Sequence, residues 1–191
     1  MKKPFSIIGL LIIVIQSLAA QNETVANKQF YIELGGPGVV MTTNFDGRFQ
    51  SNSRLGLGYR LGVGFGSEKF DVKFRDFLKK AILERDISDY FAEHESTRTF
   101  YTFPAGLNYT FGKPNRASSF EFGAGVTVFS RRISLYNWEL EKPGHVIGHL
   151  AFMYRFMPVN GGFSFRIGFT PIIGTAGDLY PMAAVGFGYA F

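Results

Sequence analysis

Residues 181–191, PMAAVGFGYAF, place two kinds of side chain at alternate positions. Val185, Phe187, Tyr189 and Phe191 form a large apolar face, and glycine and alanine form the other. A period of two is that of a β-strand. A strand of a soluble sandwich carries polar groups on its solvent face, and neither face of this strand is polar. The segment is therefore predicted to face lipid on one side and a crowded interior on the other, as the closing strand of a transmembrane β-barrel.

Seven earlier stretches follow the same rule, with large apolar residues on one face and small or polar residues on the other. In the clearest, residues 54–65, four glycines share the inner face with two arginines, and they leave room for long side chains from opposite strands. A soluble lipocalin-like barrel is the competing fold, but its outer face would be polar. In chain order the predicted strands are 29–34, 39–49, 54–65, 99–111, 119–130, 146–156, 163–171 and the terminal strand.

The connections between these strands alternate in length. Residues 50–53, 112–118 and 158–162 form short turns, whereas 66–96, 131–145 and 172–180 are longer loops, and the tight turn 35–38 lies on the longer side. Pro104 removes a ladder donor, so a bulge or bend is expected there. An even strand number places both termini at one end. The predicted fold class is all-β, an eight-stranded antiparallel transmembrane barrel.

The insert between the third and fourth strands, at about 67–96, breaks the period of two. Phe74, Phe77, Leu78 and Ile82 recur at steps of three and four residues, which predicts an amphipathic helix over about 69–93 in an extracellular loop. Such a helix would cap the barrel mouth, or else lie on the outer leaflet or dock a partner.

Residues 1–20 form a predicted cleaved signal peptide, which leaves 21–191 as the barrel domain. Lys2 and Lys3 precede an apolar run at 7–15 and small residues at 17–20. A membrane-anchoring helix is the alternative, but the run is shorter than the roughly 20 residues of a span.

Composition excludes several functional classes. The chain has no cysteine, so disulfides and thiol catalysis are excluded. Its formal charge of +5 comes from scattered residues, and without a basic run it does not predict nucleic-acid binding.

The predicted inner face carries ten polar side chains that form the candidate site. An eight-stranded barrel is just wide enough to be filled by side chains, so we expect a packed network of arginines forked onto carboxylates. A narrow small-solute conduit or ligand pocket is the alternative, and the arginine excess would favour anions. The predicted lumen network is Glu33, Asp46, Arg48, Arg54, Arg60, Asn108, Glu121, His149, Arg155 and Arg166.

The signal, the eight alternating strands and the terminal aromatics together resemble small outer-membrane barrels of Gram-negative bacteria, of the OmpX and PagP kind. Phe187, Tyr189 and Phe191 match that group's membrane-insertion signal. ELGGPG at 33–38 and FRIGFTP at 165–171 resemble motifs of an uncharacterised outer-membrane barrel family. The resemblance implies an outer-membrane location with both termini in the periplasm, and as partners the outer-membrane lipid and the barrel-insertion machinery.

No metal, cofactor or catalytic group is predicted. His145 and His149 with Glu141 form a weak cluster, because a spacing of four loses its meaning outside a helix. PagL-type lipid A deacylases use a histidine and a serine close together on a strand, and the only nearby serines are Ser130 and Ser134. We therefore expect a non-enzymatic barrel with a structural or surface-interaction role through loops 66–96 and 131–145, binding an unidentified extracellular ligand. A conduit is second and a lipid A-modifying enzyme third.

Overall fold

The computed structural model describes residues 25–67, 99–133, 144–174, 177 and 179–191. The predicted signal peptide (1–20) and the predicted helix (69–93) lie outside these ranges. Among the described residues, no helix is long and apolar enough to cross a membrane.

Ten strands and one short 3₁₀ turn make up the described fold. They are β1 (Lys28–Gly35), the turn Gly36–Gly38, β2 (Met41–Arg48), β3 (Gly56–Ser67), β4 (Thr99–Gly112), β5 (Ser118–Ile133), β6 (Gly144–Phe156), β7 (Gly162–Phe169), β8 (Ile172–Ile173), β9 (Leu179–Tyr180) and β10 (Ala183–Ala190). Strands β1 to β7 pair antiparallel in chain order, β1 with β2 and so on to β6 with β7, and β10 pairs with both β7 and β1. The sheet therefore closes on itself, which confirms the predicted eight-stranded antiparallel barrel.

The seam between β1 and β10 completes the barrel. The two strands stay in register as far as Gly35, which lies beside Ala184. Beyond the other end of the seam, Lys28 and Phe191 exchange backbone hydrogen bonds of 3.0 and 2.9 Å. Closure leaves no unpaired sheet edge along this seam, so the terminal strand closes the barrel as the sequence predicts.

The two faces of the wall differ as the period of two requires. Along β1 the burial alternates strictly between exposed and buried positions. Outward side chains such as Leu61 and Phe187 are half exposed, and inward ones such as Glu33 and Arg60 are at most 4% exposed. Lipid is the solvent that satisfies such an outer wall.

Inner-face glycines make room for arginines, but not from opposite strands as predicted. Gly58 lies beside Arg48 on the adjacent strand, and Gly186 lies beside Arg166 in the same way. A Cβ added at Gly58 would overlap the Arg48 guanidinium. The side chain of each of these arginines therefore occupies the space that a larger residue than glycine would fill on the neighbouring strand.

Several predicted boundaries are wrong. The loop predicted over 172–180 contains β8 and β9, which extend β7 and β10, because β8 keeps pairing with both β6 and β9. The loop predicted over 131–145 is shortened at both ends by β5 and β6.

Two local expectations also fail. Val39 was expected on the outer face of a strand beginning there, but β2 begins at Met41 and Val39 is buried. Pro104 causes no register shift between β3 and β4, and the irregularity lies instead in the β5–β6 pair between Val128 and Ile133. Pro104 is tolerated because it packs near Gly62, at a gap in the ladder.

Candidate functional site

The centre of the lumen, the space enclosed by the barrel, holds a chain of alternating buried charges that we call the charged layer. Each carboxylate lies between two arginines, and each of the two central arginines lies between two carboxylates. In spatial order the members are Arg60, Glu33, Arg166, Glu121, Arg155, Asp46 and Arg48.

Glu121 occupies the middle of this chain. Its Oε1 accepts from Arg166 Nη2 at 2.6 Å and its Oε2 accepts from Arg155 Nη1 at 2.5 Å. The three residues come from β5, β7 and β6, so the contact ties together three consecutive strands of the wall. Charge-assisted bonds of this kind are among the stronger hydrogen bonds in proteins.

Two further carboxylates complete the chain. Asp46 accepts from Arg48 Nη2 at 2.6 Å and from Arg155 Nη2 at 3.0 Å. Glu33 accepts from Arg60 and lies 3.4 Å from Arg166 Nε. All three carboxylates are at most 3% exposed, so guanidinium groups rather than bulk solvent supply the opposite charge that each one needs.

Neutral side chains fill the gaps around the charged layer. The Tyr31 ring contacts two guanidinium groups. Its centroid lies 4.5 Å from Arg166 Cζ and 5.5 Å from Arg60 Cζ. The aromatic face attracts both cations. Asn108 donates to Asp46 at 2.5 Å, and Asn44 accepts from Arg60 at 3.2 Å.

His149 and Arg60 border a small cavity beside the charged layer. The cavity offers about 10 Å³ to the centre of a water molecule, and Asn108 and Glu121 also line it. That volume matches a single water molecule. The His149 Nδ1 lies 3.4 Å from the Thr127 hydroxyl. The imidazole ring therefore lies between the cavity and Thr127.

Arg54 lies apart from the network in which it was predicted. It sits at the short-turn end, where its guanidinium donates to four backbone carbonyls, those of Lys113, Pro114, Ala117 and Met157. These carbonyls belong to the β4–β5 and β6–β7 turns and their edges. Arg54 therefore closes the lower end of the lumen by tying two turns together.

A second cluster, the apolar layer, fills the lumen at the long-loop end. The predictions made from the sequence did not include this cluster. Extending the inward parity to the strand ends would have found most of it. Its members are Val39, Phe100, Phe129, Ile147, Ile172 and Tyr180, with Val40 and Met182 packed against them.

The turn Gly36–Gly38 folds into the barrel next to this apolar layer, to which the following residue, Val39, belongs. All three of its residues are buried. Thr127 Oγ1 donates to the Pro37 carbonyl at 2.8 Å, and a Cβ added at Gly36 would lie 2.9 Å from Glu33 Oε1. The turn therefore lies at the boundary between the apolar layer and the charged layer.

The two histidines of the weak cluster lie in different surroundings, as expected for residues outside a helix. His145 is exposed and lies 3.2 Å from the Phe129 carbonyl through Nδ1, whereas His149 is buried in the lumen. Ser130 accepts a hydrogen bond from the Tyr101 backbone N–H. Glu141 and Ser134 lie outside the described ranges. Among the residues that the structure describes, no group of three or more potential metal ligands occurs.

The terminal aromatics lie on the outer wall near the short turns. Phe191 stacks on Phe30 with ring centroids 5.8 Å apart, and Phe187 contacts Phe163 at 6.4 Å and Phe165 at 5.3 Å. Aromatic girdles at the membrane interface are typical of outer-membrane barrels. Their role as an insertion signal stays a prediction.

No protein-family model matches the sequence, and no curated protein matches it either. Three solved structures are similar in fold. Yersinia pestis outer membrane protein Ail, in a phospholipid bilayer nanodisc, is 13% identical with a TM-score of 0.49, covering 87% of this chain and 99% of Ail. The N-terminal β-barrel domain of Pseudomonas aeruginosa OprF is 12% identical with a TM-score of 0.48, covering 90% and 100%. The outer membrane enzyme PagL is 13% identical with a TM-score of 0.38, covering 87% and 99%.

Proposed function

We propose that this chain is an integral outer-membrane β-barrel protein that conducts no solute and has a structural or surface-interaction role at its long-loop end. The observation that carries the proposal is the filled lumen. Arginines and carboxylates reach across it from six strands and pair with one another. An ion entering this layer would have to separate buried pairs.

The outer wall supports a membrane location. Large apolar side chains on seven of the eight barrel strands are exposed, among them Leu61, Leu107 and Phe187, each about half exposed, and β2 has its apolar residues Met41 and Phe45 partly exposed. A continuous apolar band of this kind would be an aggregation hazard in water. In a bilayer it is the surface that contacts lipid.

The two ends of the barrel suggest its orientation. The described N-terminal residues meet the C-terminus and the β6–β7 turn, with Ala26 donating to the Val159 carbonyl at 2.7 Å. Ala26 and Phe191 therefore lie on the side of the short turns. Short turns face the periplasm in outer-membrane barrels, so the longer loops 66–96 and 131–145 would reach the cell exterior, where an extracellular ligand would bind.

Delivery to the membrane would use two segments. A cleaved signal peptide over 1–20 would direct export, and Phe187, Tyr189 and Phe191 would present the strand to the barrel-insertion machinery. Once inserted, the chain has outer-membrane lipid as its principal partner, and we propose no nucleic-acid partner and no cofactor.

The closed lumen can be tested by reconstitution. The purified protein, folded into planar bilayers and checked for heat-modifiable migration on gels, should give no channel events above those of protein-free bilayers. A large porin inserted under the same conditions shows that insertion is detectable. Regular conductance steps from the folded protein would contradict the proposal.

A small-solute conduit is the second candidate, because the cavity beside Arg60 and His149 interrupts the packing of the lumen. The four arginines of the charged layer outnumber its three carboxylates, so such a conduit would select anions. Anion-selective conductance that disappears in Arg60→Gln would favour this candidate over the closed barrel.

A lipid A-modifying enzyme ranks third. Both described histidines contact other groups, His145 the Phe129 carbonyl and His149 the Thr127 hydroxyl. Incubating the folded protein with lipid A and separating the products by chromatography should therefore show no change in the lipid.

A further inference from the structure

The segment from Gly35 to Val40, which we call the inward turn, combines burial with unusual backbone strain. Gly35, Gly36 and Val39 all have positive φ, at 72°, 68° and 71°. Positive φ is unstrained for glycine, but it is a genuine outlier for a β-branched residue. The strain in the inward turn is therefore concentrated at Val39.

Val39 is the centre of a γ-turn. Its ψ is −56°, and the Val40 N–H donates to the Gly38 carbonyl at 2.9 Å. A γ-turn with φ near +75° and ψ near −65° is the rare and strained form. Strain of this kind persists only where the surroundings hold it, and it is common in segments that switch between two arrangements.

Apart from Gly35, which ends β1 and lies beside Ala184 of β10, the inward turn has few directional ties to the wall. Its own backbone closes it, because Gly35 N donates to Val40 O and Val39 N donates to Gly36 O, both at 2.9 Å. Within the described ranges, the wall donates one side-chain hydrogen bond to it, from Thr127 to Pro37 at 2.8 Å. Residues 36–40, GPGVV, carry no charge, so no ion pair anchors the turn to the charged layer beneath.

The force that seats the inward turn is apolar contact. Val39 is 6% exposed and packs with Phe100, Phe129 and Ile147 in the apolar layer. Apolar burial is non-directional, so it can be lost and regained without breaking a specific bonding pattern. The glycines at 35 and 36 provide the backbone freedom that a hinge needs.

We propose that the inward turn is a hinged stopper that leaves the lumen and returns, opening a blind pocket at the long-loop end. Its floor is the Thr127 hydroxyl, the His149 ring and, behind that ring, the cavity bordered by Arg60. The pocket ends there, because the paired side chains of the charged layer occupy the lumen below. The movement is thus compatible with a barrel that conducts nothing.

Cysteine accessibility tests this movement cleanly, since the chain has no cysteine of its own. Thr127→Cys places a thiol directly beneath the stopper, and Ser164→Cys is the matched control. Both side chains are at most 2% exposed on the inner wall, but Ser164 lies toward the short turns. The folded protein is treated with 2-sulfonatoethyl methanethiosulfonate, a small anionic thiol reagent, and labelling is followed by mass spectrometry.

The expected result is labelling of Thr127→Cys and protection of Ser164→Cys under identical conditions. Ile147→Cys serves as a second reporter, because it leaves the Thr127–Pro37 hydrogen bond in place, and it should also be labelled. Equal rates at residues 127 and 164 would mean that the whole barrel opens, which overturns the proposal. Protection of residues 127 and 147 until denaturation would overturn it as well.

Gly36→Ala provides the mechanistic control. Its Cβ would lie 2.9 Å from both Ala184 Cβ and Glu33 Oε1, at a φ of 68°. The substitution therefore raises the free energy of the turn inside the lumen but not that of the turn outside it. The labelling of Thr127→Cys should become about tenfold faster, as strain of this size implies. Labelling of Ser164→Cys should stay unchanged, and acceleration of both thiols would contradict a local hinge.

Discussion

The charged layer and the apolar layer fill the same lumen by opposite means. In the charged layer every carboxylate is fixed by two guanidinium groups, with distances of 2.5 to 3.4 Å where Glu121, Asp46 and Arg166 meet their partners. In the apolar layer the contacts have no preferred direction, and one of the contributors, Val39, belongs to a strained turn. Ion pairs join the strands around the charged layer, whereas non-directional contacts alone hold the apolar layer.

This difference assigns different roles to the two layers. Separating a buried ion pair leaves an uncompensated charge, which costs several kcal/mol, so the charged layer makes the middle of the barrel a permanent barrier. The apolar layer has no such penalty for rearrangement. Any movement of the lumen contents is therefore expected at the long-loop end.

The largest effect is expected from Glu121→Gln, which removes the negative charge shared by Arg155 and Arg166. Two buried guanidinium groups then lose a counter-charge, and the free energy of unfolding should fall by about 3–5 kcal/mol. Reversible urea unfolding in lipid vesicles measures it. Asn108→Ala, a change beside the same layer that removes no charge, is the control and should cost less. A loss below 1 kcal/mol would show that the charged layer does not determine stability.

The next effect is overpacking of an inner-face glycine. Gly58→Ala brings a Cβ into the Arg48 guanidinium and the Gly47 carbonyl, and it should destabilise the barrel by about 1–3 kcal/mol. Gly148→Ala is the matched control, because its Cβ would lie 3.4 Å from Ile173 Cβ, an ordinary contact. If both variants unfold at the same urea concentration, glycine does not serve to seat the arginine.

A smaller effect is expected in the apolar layer. Ile147→Val removes one methylene group from a side chain that is 4% exposed, and the cost should be about 0.5–1.5 kcal/mol. The same unfolding assay applies. Ile167→Val on the outer wall, where the side chain is about half exposed, should cost less. A larger loss than for Glu121→Gln would reverse the order of the two layers.

The smallest effect is expected from Tyr31→Phe. The ring between Arg60 and Arg166 is retained, and the hydroxyl has no hydrogen-bond partner among the described residues. Removing an unsatisfied buried hydroxyl is nearly neutral or stabilising, so the change should be within about 0.5 kcal/mol. Tyr31→Leu, which loses the cation–π contacts, should cost more, by about 0.5–2 kcal/mol. Equal values for both variants would exclude a role for the aromatic face.

The sequence alone determined the eight barrel strands apart from their boundaries, the two faces of the wall and the inward position of the ten predicted polar residues. The reason is that side-chain direction in a strand depends only on local parity. Whether a Phe or an Arg faces outward or inward can be read from its odd or even position along the strand. The absence of a polar outer face then indicates a closed barrel in lipid.

Tertiary structure alone decided which inward groups meet. Glu121 contacts Arg166 because strand pairing places β5 and β7 on either side of β6, and Arg54 joins backbone carbonyls because it lies at the short-turn end of the lumen. The inward path of residues 35–40 was equally beyond local reasoning, since parity assigns Val39 to the outer face. Its burial is favourable only because five side chains from other strands already line the mouth of the lumen. Long-range packing, which no local pattern encodes, holds that strained turn in place.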